Sequence, residues 1–247
     1  MQNINHPFGN TKVFIKNFCK SFLEKIISFF ANIFFDLKKN EKIIISPAIY
    51  QKWNDNNDFN EAYEKYKNFT MLDKHRAFTL WSIVKNLNNL EGEIIEIGCF
   101  KGGTGFLLSN ADSKSQIKLY DTFEGFPITE ENIKKNTLKA NLEESKEFLN
   151  KFEISNIEFF KKRFPIGVDN INKIKFCHID INTYSETKNS FNFILPLLVK
   201  GGVVVFDDYG IWRIDGIKKF ISEIEENLKD QFYFFFNYMG QCILIKK

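Results

Sequence analysis

The chain has 247 residues, of which 44% are hydrophobic and 26% charged, a composition typical of globular proteins and not of disordered or fibrous ones. Lys and Arg number 34 against 31 Asp and Glu, so the net charge of +3 is too balanced to indicate a nucleic-acid-binding protein. The four cysteines form no C-x-x-C pair, which argues against a zinc site and favours a reducing, cytoplasmic location.

The first predicted element is a helix rich in Phe and Ile, between residues 14 and 35. Its longest uncharged run, residues 26 to 35, would span ~15 Å as a helix, about half of a bilayer core, so a membrane span is not expected. Apolar residues recur there at helical spacing, namely Phe18, Phe22, Ile26, Phe29, Phe30 and Ile33. The pattern predicts an amphipathic helix that packs on the chain's own core or on a second subunit of a homodimer. The alternative is a membrane-surface contact, with Lys16, Lys20 and Lys25 facing anionic lipid.

Residues 36 to 68 are polar and predict a linker with short helices. Together with the first helix they would form an N-terminal extension, residues 1 to 68, that serves as an oligomer or lid element. Helices and strands alternate over residues 69 to 247. The predicted helices are 73–87 with Asp73 as N-cap, one that follows 102–104, 132–152, 185–198 and 214–228. The predicted strands are 93–98, 117–121, 157–160, 174–181, 203–206, and a closing hairpin of 232–236 and 242–245.

This alternation predicts an α/β fold with a doubly wound, mostly parallel, Rossmann-like sheet and one antiparallel C-terminal strand. Ligands bind such sheets outside the carboxyl ends of the strands. The first strand ends in a turn that contains Gly98, Gly102 and Gly103, where the backbone can approach a ligand and a helix N-terminus favours an anion. The spacing is not G-x-G-x-x-G, so a nicotinamide-dependent oxidoreductase is the less favoured alternative. Asp121, at the end of the second strand, is placed to accept both hydroxyls of a ribose.

Acidic residues end two further strands. His178, Asp180 and Asn182 alternate along the fourth strand and therefore share a face. Asp207 and Asp208 follow the fifth strand, and two adjacent acids repel, so one should have a raised pKa unless a cation lies beside them. Asp180, Asp207 and Asp208 would form an all-oxygen set that suits Mg²⁺, or Mn²⁺ as a substitute. The alternative is that these acids cap the following helices.

Five motifs in residues 69 to 247 resemble the macrocin O-methyltransferase (TylF-type) family. They are Met71-x-x-x-x-Arg76-x-x-x-Leu80-Trp81, Glu96-x-Gly98-x-x-x-Gly102-Gly103-Thr104, Asp121-Thr122-Phe123-Glu124-Gly125-Phe126-Pro127, Asp180-x-Asn182-x-Tyr184-x-x-Thr187, and Gly201-Gly202-x-x-x-x-Asp207-Asp208-Tyr209. The third motif and the final Asp-Asp-Tyr are specific, whereas the glycine turn alone would indicate only a class I methyltransferase. The resemblance implies an S-adenosylmethionine- and Mg²⁺-dependent O-methyltransferase that acts on a sugar hydroxyl.

The resemblance also implies residue roles. The cofactor would contact Met71, Glu96, Gly98, Cys99, Phe100, Gly102, Gly103, Thr104, Asp121, Thr122 and Phe123. Within that set, Glu96 and the glycine turn would hold the methionine end, Asp121 the ribose, and Phe123 would lie near the adenine. The metal ligands would be Asp180, Asp207 and Asp208. The chain departs from the family at Asn182, because the family pattern has there an acid that serves as general base.

Three explanations of the missing base stay open. His178 replaces it, or a hydroxide on the metal or one of the metal-binding acids suffices, or the chain is a cofactor-binding partner subunit with altered chemistry. In each case Asn182 is expected in the site, where it orients the substrate. Because the abundance of Lys, Asn, Ile and Phe is typical of an AT-rich genome, the preferred substrate is a nucleotide-activated sugar for a bacterial surface (capsule) polysaccharide. A glycosylated natural product is the alternative.

Overall fold

The computed structural model describes residues 10–35, 51–126, 137–211 and 215–247. The chain divides into two compact units, residues 1–51 and 52–247. The division lies earlier than the boundary after residue 68 that composition predicted. The reason is that Phe59 and Tyr66, within the polar segment, are completely buried in a hydrophobic cluster of the second unit.

The described part of the first unit is one helix, α1 (Asn10–Phe35), where the periodicity predicted a helix. Its exposed apolar side chains fall within an arc of roughly 140° at helical spacing, so they form one stripe. They are Ile15, Phe18, Phe22, Leu23, Ile26, Phe29, Phe30 and Ile33. Among the helices of the described ranges, none combines the length and the hydropathy that a membrane crossing requires.

The second unit alternates helices with strands. Its helices are α2 (Asn57–Tyr66), α3 (Lys74–Asn86), α4 (Gly103–Ala111), α5 (Leu142–Asn150), α6 (Tyr184–Ile194) and α7 (Asp215–Leu228). Its strands are β1 (Glu93–Ile97), β2 (Ile117–Asp121), β3 (Ile157–Lys161), β4 (Ile174–Ile179), β5 (Leu198–Phe206), β6 (Phe232–Phe236) and β7 (Cys242–Lys246). Two short 3₁₀ helices, Lys52–Asp55 and Lys67–Phe69, flank α2.

The strands form one sheet in the order β3-β2-β1-β4-β5-β7-β6. All neighbours pair in parallel except β7, which runs antiparallel to both β5 and β6. The doubly wound sheet with one antiparallel C-terminal strand is therefore confirmed. The order reverses between β1 and β4, and the crevice at that switch point is where such sheets bind ligands.

Three boundaries within the second unit differ from the sequence-based expectation by more than two residues. Helix α6 ends at Ile194, before the predicted residue 198, because Pro196 lacks the N–H that a continuing helix needs. Strand β5 begins at Leu198, so residues 200–202 belong to the strand rather than to a turn, and its register against β4 shifts there. Helix α5 begins only at Leu142, after the N-cap Asn141. The predicted segment 127–136 and the predicted helix start at Ile214 lie outside the described residues.

The core lies on both faces of the sheet. Along β1, Ile94 belongs to a cluster on the face of α2, α3 and α4, whereas Ile95 and Ile97 belong to a second cluster on the face of α6 and α7. Strands that are buried on both faces are mostly apolar, and the buried polar residues among these parallel strands are Glu96, Lys118, Lys175 and His178. The polar residues that end these strands are thereby left at one edge of the sheet.

Candidate active site

A cavity of about 310 Å³ opens at the carboxyl ends of β1, β2 and β4, within the range of small-molecule sites. Ten of the sixteen predicted site residues line it: Met71, Gly98, Cys99, Phe100, Thr104, Asp121, Thr122, Asp180, Asn182 and Asp208. The other six lie outside its lining: Glu96, Gly102, Gly103, Phe123, His178 and Asp207. The structure therefore gathers the predicted cofactor and metal residues around one cavity and a layer directly adjacent to it.

The glycine turn after β1 forms one wall. Gly98 has φ +89°, and a Cβ atom there would lie 2.0 Å from the carbonyl oxygen of Asp180, so no side chain fits between the ends of β1 and β4. Gly102 has φ +77° and caps helix α4. These glycines are therefore required by close contacts within the fold, and the role of the turn in binding a ligand stays a prediction.

Asp121 forms the adjacent wall. Its Oδ2 accepts a hydrogen bond from the Phe100 amide at 2.8 Å, and its Oδ1 accepts one from the Phe123 amide at 2.7 Å. Burial raises the pKa of Asp121, and these amide hydrogen bonds oppose that rise. Each carboxylate oxygen can accept a second hydrogen bond, so the residue is oriented and retains the capacity to bind a diol.

Four of the seven non-glycine residues with positive φ in the described ranges follow strands of this site. They are Phe100 after β1, Phe123 after β2, Asn182 after β4 and Asp208 after β5, with φ between 50° and 60°. Side chains other than glycine rarely adopt this conformation, and such strain concentrates at functional sites. No sequence signal indicated it, because none of the four is a glycine.

Arg76 of α3 pairs with both acids that follow β5. Its Nη1 donates to Asp207 Oδ2 at 2.7 Å and to Asp208 Oδ1 at 3.0 Å, and its Nε donates to Asp73 Oδ2 at 2.8 Å. Burial and the neighbouring Asp207 raise the pKa of Asp208 to about 6, although Arg76 opposes the rise. The sequence predicted a raised pKa in this pair unless a cation lies beside it, and the structure has both Arg76 beside the two acids and a raised pKa at Asp208. The metal ion stays a prediction.

Below the cavity, His178 of β4 and Glu96 of β1 form a buried pair. His178 Nδ1 lies 3.0 Å from Glu96 Oε1, and both residues are almost completely inaccessible to solvent. Burial lowers the pKa of His178, but the hydrogen bond to Glu96 and the surrounding acids outweigh it and raise that pKa to about 9. Burial raises the pKa of Glu96. Neither residue lines the cavity, so each could act on a substrate only through an intervening group.

Asp180 and Asn182 are the polar side chains that β4 directs toward the cavity. Burial and the negative charges of Asp207 and Asp208 raise the pKa of Asp180 well above its usual value. Asn182 Oδ1 is buried without a hydrogen-bond partner, which leaves an acceptor open to a ligand hydroxyl. The arrangement offers one carboxylate for proton transfer and one amide for orientation.

Sequence reasoning assigned no role to several residues that line the cavity. They are Thr70, Leu72, Arg76, Ile97, Tyr120, Gly125, Phe126, Leu138, Lys162, Arg163, Phe164, Ile181 and Glu186. Arg76 could have been found, because two adjacent buried acids require a counter-charge, and Arg76 follows the N-cap Asp73 of a helix that precedes β1. Lys162 and Arg163 follow an exposed part of β3 and carried no such signal.

The fold and the site together define a class I methyltransferase, with a glycine turn after β1, an acid after β2 and a ligand cavity at the switch point. The family model described as macrocin-O-methyltransferase (TylF) matches residues 28–230. The chain therefore belongs to that family and is an S-adenosylmethionine-dependent O-methyltransferase.

The chain is also similar to individual proteins. Uncharacterized protein R132 of Acanthamoeba polyphaga mimivirus is 32% identical over 177 residues, which cover 66% of this chain and 77% of that protein. The O-methyltransferase NovP superposes with a TM-score of 0.64 at 18% identity, over 72% of this chain and 82% of NovP. The calicheamicin methyltransferase CalS11 superposes with a TM-score of 0.58 at 15% identity, over 85% and 99% of the two chains. At these identities the two superpositions establish a shared fold.

Proposed function

We propose that this O-methyltransferase transfers the methyl group of S-adenosylmethionine to a hydroxyl of a nucleotide-activated sugar, in a reaction that requires a divalent metal, Mg²⁺ or Mn²⁺. The observation that carries the proposal is the placement of Asp180, Asn182 and Asp208 in the same cavity as Gly98 and Asp121. A cofactor site and a hard-oxygen site thereby share one space. The bacterial surface polysaccharide remains the preferred destination of the product.

The proposed cofactor site consists of the turn after β1 and the end of β2. Asp121 would accept the ribose hydroxyls, and the amide-lined turn at Gly98 would receive the methionine carboxylate near the N-terminus of α4. Met71, Cys99, Phe100, Thr104 and Thr122 line the cavity around these positions. Bound there, S-adenosylmethionine supplies an electrophilic methyl group on a sulfonium.

The residues fit a divalent cation at the ends of β4 and β5. Asp180 and Asp207 present carboxylates there, and Asp207 Oδ1 is buried without a partner. A divalent ion held by these acids would lower the pKa of a sugar hydroxyl beside it, which makes that hydroxyl a better nucleophile. Asn182 would orient the hydroxyl, and Asp180, which lines the same cavity, would accept its proton. The predicted third ligand, Asp208, lies beside Arg76.

A sugar nucleotide would meet two basic residues on one side of the cavity. Lys162 and Arg163 both line it, and Arg163 also pairs with Glu186 of the same wall. CalS11 is described as a TDP-rhamnose 3'-O-methyltransferase in calicheamicin biosynthesis. That description supports a sugar nucleotide here by analogy of fold, and a glycosylated natural product is the competing acceptor.

The decisive experiment measures transfer of labelled methyl from S-adenosylmethionine to a panel of TDP- and UDP-linked hexoses and to glycosylated natural products. We expect transfer to a sugar nucleotide that stops with EDTA and returns with Mg²⁺ or Mn²⁺. Asp180→Asn should abolish it, whereas Glu124→Gln, on the exposed loop after β2, should not. Transfer only to the natural products would overturn the substrate proposal.

Asn182 favours a second candidate, a cofactor-binding subunit with altered chemistry. The family base is replaced by an amide, and Arg76 already pairs with Asp207 and Asp208. This candidate requires that the protein bind S-adenosylmethionine without transferring methyl, and that Asn182→Asp create activity. Wild-type turnover on any acceptor would exclude it.

The proposed partner of helix α1 is a second copy of the chain, with α1 as an oligomer or lid element. The exposed apolar stripe on α1 is the support, since such stripes pack against another protein or a membrane. Light scattering should give a dimer that the paired changes Phe22→Ser and Phe29→Ser dissociate. Flotation with anionic liposomes would instead support a membrane-surface contact.

A further inference from the structure

The buried pair of Glu96 and His178 adjoins two carboxylates. One ring nitrogen of His178 and one oxygen each of Asp180 and Asp207 lie within 4.8 Å of one another. Two donors on opposite sides of one ion, with bonds of about 2.1 Å, lie roughly 4 Å apart. The three side chains are therefore close to the spacing of a shared cation, and Asp180 reaches the cavity that would deliver it.

Two buried atoms of this group have no hydrogen-bond partner. His178 Nδ1 faces Glu96, whereas His178 Nε2 is unpartnered, and so is Asp207 Oδ1. Both residues are at most 1% exposed, so bulk solvent does not reach them. An unsatisfied buried polar group costs about 1–3 kcal/mol. A cation between Nε2 and Oδ1 would satisfy both atoms.

Arg76 divides the acids into two sets. It donates to Asp207 Oδ2 and Asp208 Oδ1, and Asp207 Oδ1 is left without a partner. Asp208 therefore faces an arginine, whereas a carboxylate oxygen of Asp207 lies within 4.8 Å of a ring nitrogen of His178 and an oxygen of Asp180. The third ligand of a metal ion is thus better supplied by His178 than by Asp208.

We infer that the divalent ion of this enzyme is held by His178 Nε2, Asp180 and Asp207, with Glu96 fixing the imidazole from behind. Metal-binding histidines regularly donate their second ring nitrogen to a carboxylate, which is the position of Glu96. An imidazole ligand favours transition metals over Mg²⁺, so Mn²⁺, Fe²⁺ or Co²⁺ is the matching ion. The inference rests on the proposed function only in requiring a divalent ion at the ends of β4 and β5.

The test uses the wild-type protein loaded with Mn²⁺ and pulsed EPR, which detects the magnetic coupling of a ligand nitrogen. We expect an imidazole ¹⁴N coupling that changes to a ¹⁵N pattern when the protein is grown with ¹⁵N-histidine. Titrations should show Mn²⁺ or Co²⁺ binding at least about tenfold tighter than Mg²⁺. His75→Gln, a histidine on the partly exposed face of α3, should leave the coupling intact.

Two variants assign the third ligand. His178→Gln should remove the nitrogen coupling and weaken Mn²⁺ binding, and Asp208→Asn should keep the coupling. The inference would be overturned if the protein binds Mn²⁺ without an imidazole coupling and its Asp208→Asn variant loses the ion. The protein would then still be a metal-dependent methyltransferase. Methyl transfer that persists after EDTA, in a protein that binds no divalent ion, would overturn both. The wild-type spectrum decides the inference even if the His178 variant fails to fold.

Discussion

Arg76 Nη1 lies 2.7 Å from Asp207 Oδ2, a contact that joins helix α3 to the end of β5 across 131 residues of sequence. The Asp207 side chain is completely buried and that of Arg76 is 13% exposed. A buried carboxylate is costly unless it is paired, so this contact is a condition for assembling the acidic side of the site. It also connects the segment before the sheet, where Met71 lines the cavity, to the residues proposed for catalysis.

Arg76→Met should therefore destabilise the metal-free protein by about 3 kcal/mol, because it leaves Asp207 and Asp208 without their counter-charge. Chemical denaturation in EDTA measures the loss. Added Mn²⁺ should recover more stability in the variant than in the wild type, since a bound ion replaces the missing positive charge.

Arg163→Met is the matched control. Arg163 also pairs with a carboxylate, Glu186, but its side chain is 46% exposed, so the loss should stay below about 1 kcal/mol. Equal losses for the two variants, or no additional recovery of Arg76→Met with Mn²⁺, would contradict the role assigned to Arg76.

The second prediction concerns Asp121. Asp121→Asn replaces one acceptor oxygen by an NH₂ group that faces a backbone N–H of Phe100 or Phe123 and removes the charge offered to a ribose. A hydrogen bond to a charged group contributes about 1.5–3 kcal/mol, so affinity for S-adenosylhomocysteine should fall roughly 10- to 100-fold by calorimetry. Glu124→Gln, nearby on the exposed loop, is the control. Unchanged affinity of the Asp121 variant would remove the residue from the cofactor site.

Strand ends could be predicted because a parallel sheet imposes two simple rules. Buried strands are mostly apolar, and the glycine or acids at the end of each one mark the ligand edge. Gly98, Asp121, Asp180, Asp207 and Asp208 were found in this way, and all except Asp207 line the cavity. The rules concern periodicity along the chain, so they hold without knowledge of the neighbouring helices.

The contacts across the fold could not be predicted in the same way. Arg76 and Asp207 lie 131 residues apart, and Glu96 and His178 lie 82 apart, so their pairing depends on strand order and register. The alternation in β4 put His178 and Asp180 on one face, but it did not show that His178 lies below the cavity rather than in it. Whether a side chain lies in the cavity or below it depends on the elements that pack around the sheet. The sequence of a single strand contains no information about these elements.

The third prediction separates two roles for Glu96. The family resemblance assigns it to the methionine end of the cofactor, whereas the structure buries it against His178. Glu96→Gln keeps the shape of the side chain but loses the charge that orients the imidazole, so Mn²⁺ affinity should fall about 10- to 100-fold. Affinity for S-adenosylhomocysteine should not change, because Glu96 does not line the cavity. The opposite result, weaker cofactor binding with normal Mn²⁺ affinity, would support the role implied by the family.

The last prediction concerns a buried ion pair away from the site. Lys175 Nζ of β4 donates to Asp112 Oδ2 at 2.6 Å, directly after α4, and both side chains are at most 3% exposed. Burial raises the pKa of Asp112, but the hydrogen bonds from Lys175 and Ser115 outweigh it, so the pKa lies below its ordinary value of 3.8. A carboxyl with a lowered pKa stabilises the fold above its unfolded-state pKa, and that stabilisation is lost as the pH falls through the folded-state pKa.

Asp112→Asn should therefore cost about 3 kcal/mol at pH 7, because it leaves Lys175 charged and buried without its partner. Urea unfolding of both proteins between pH 7 and pH 3 should give a constant difference in the free energy of unfolding above roughly pH 5 and a shrinking one below roughly pH 4. Glu91→Gln, which removes an exposed carboxylate facing Lys173, should differ little from the wild type at any pH. A difference for Asp112→Asn that does not shrink in acid would show that the variant loses packing rather than charge.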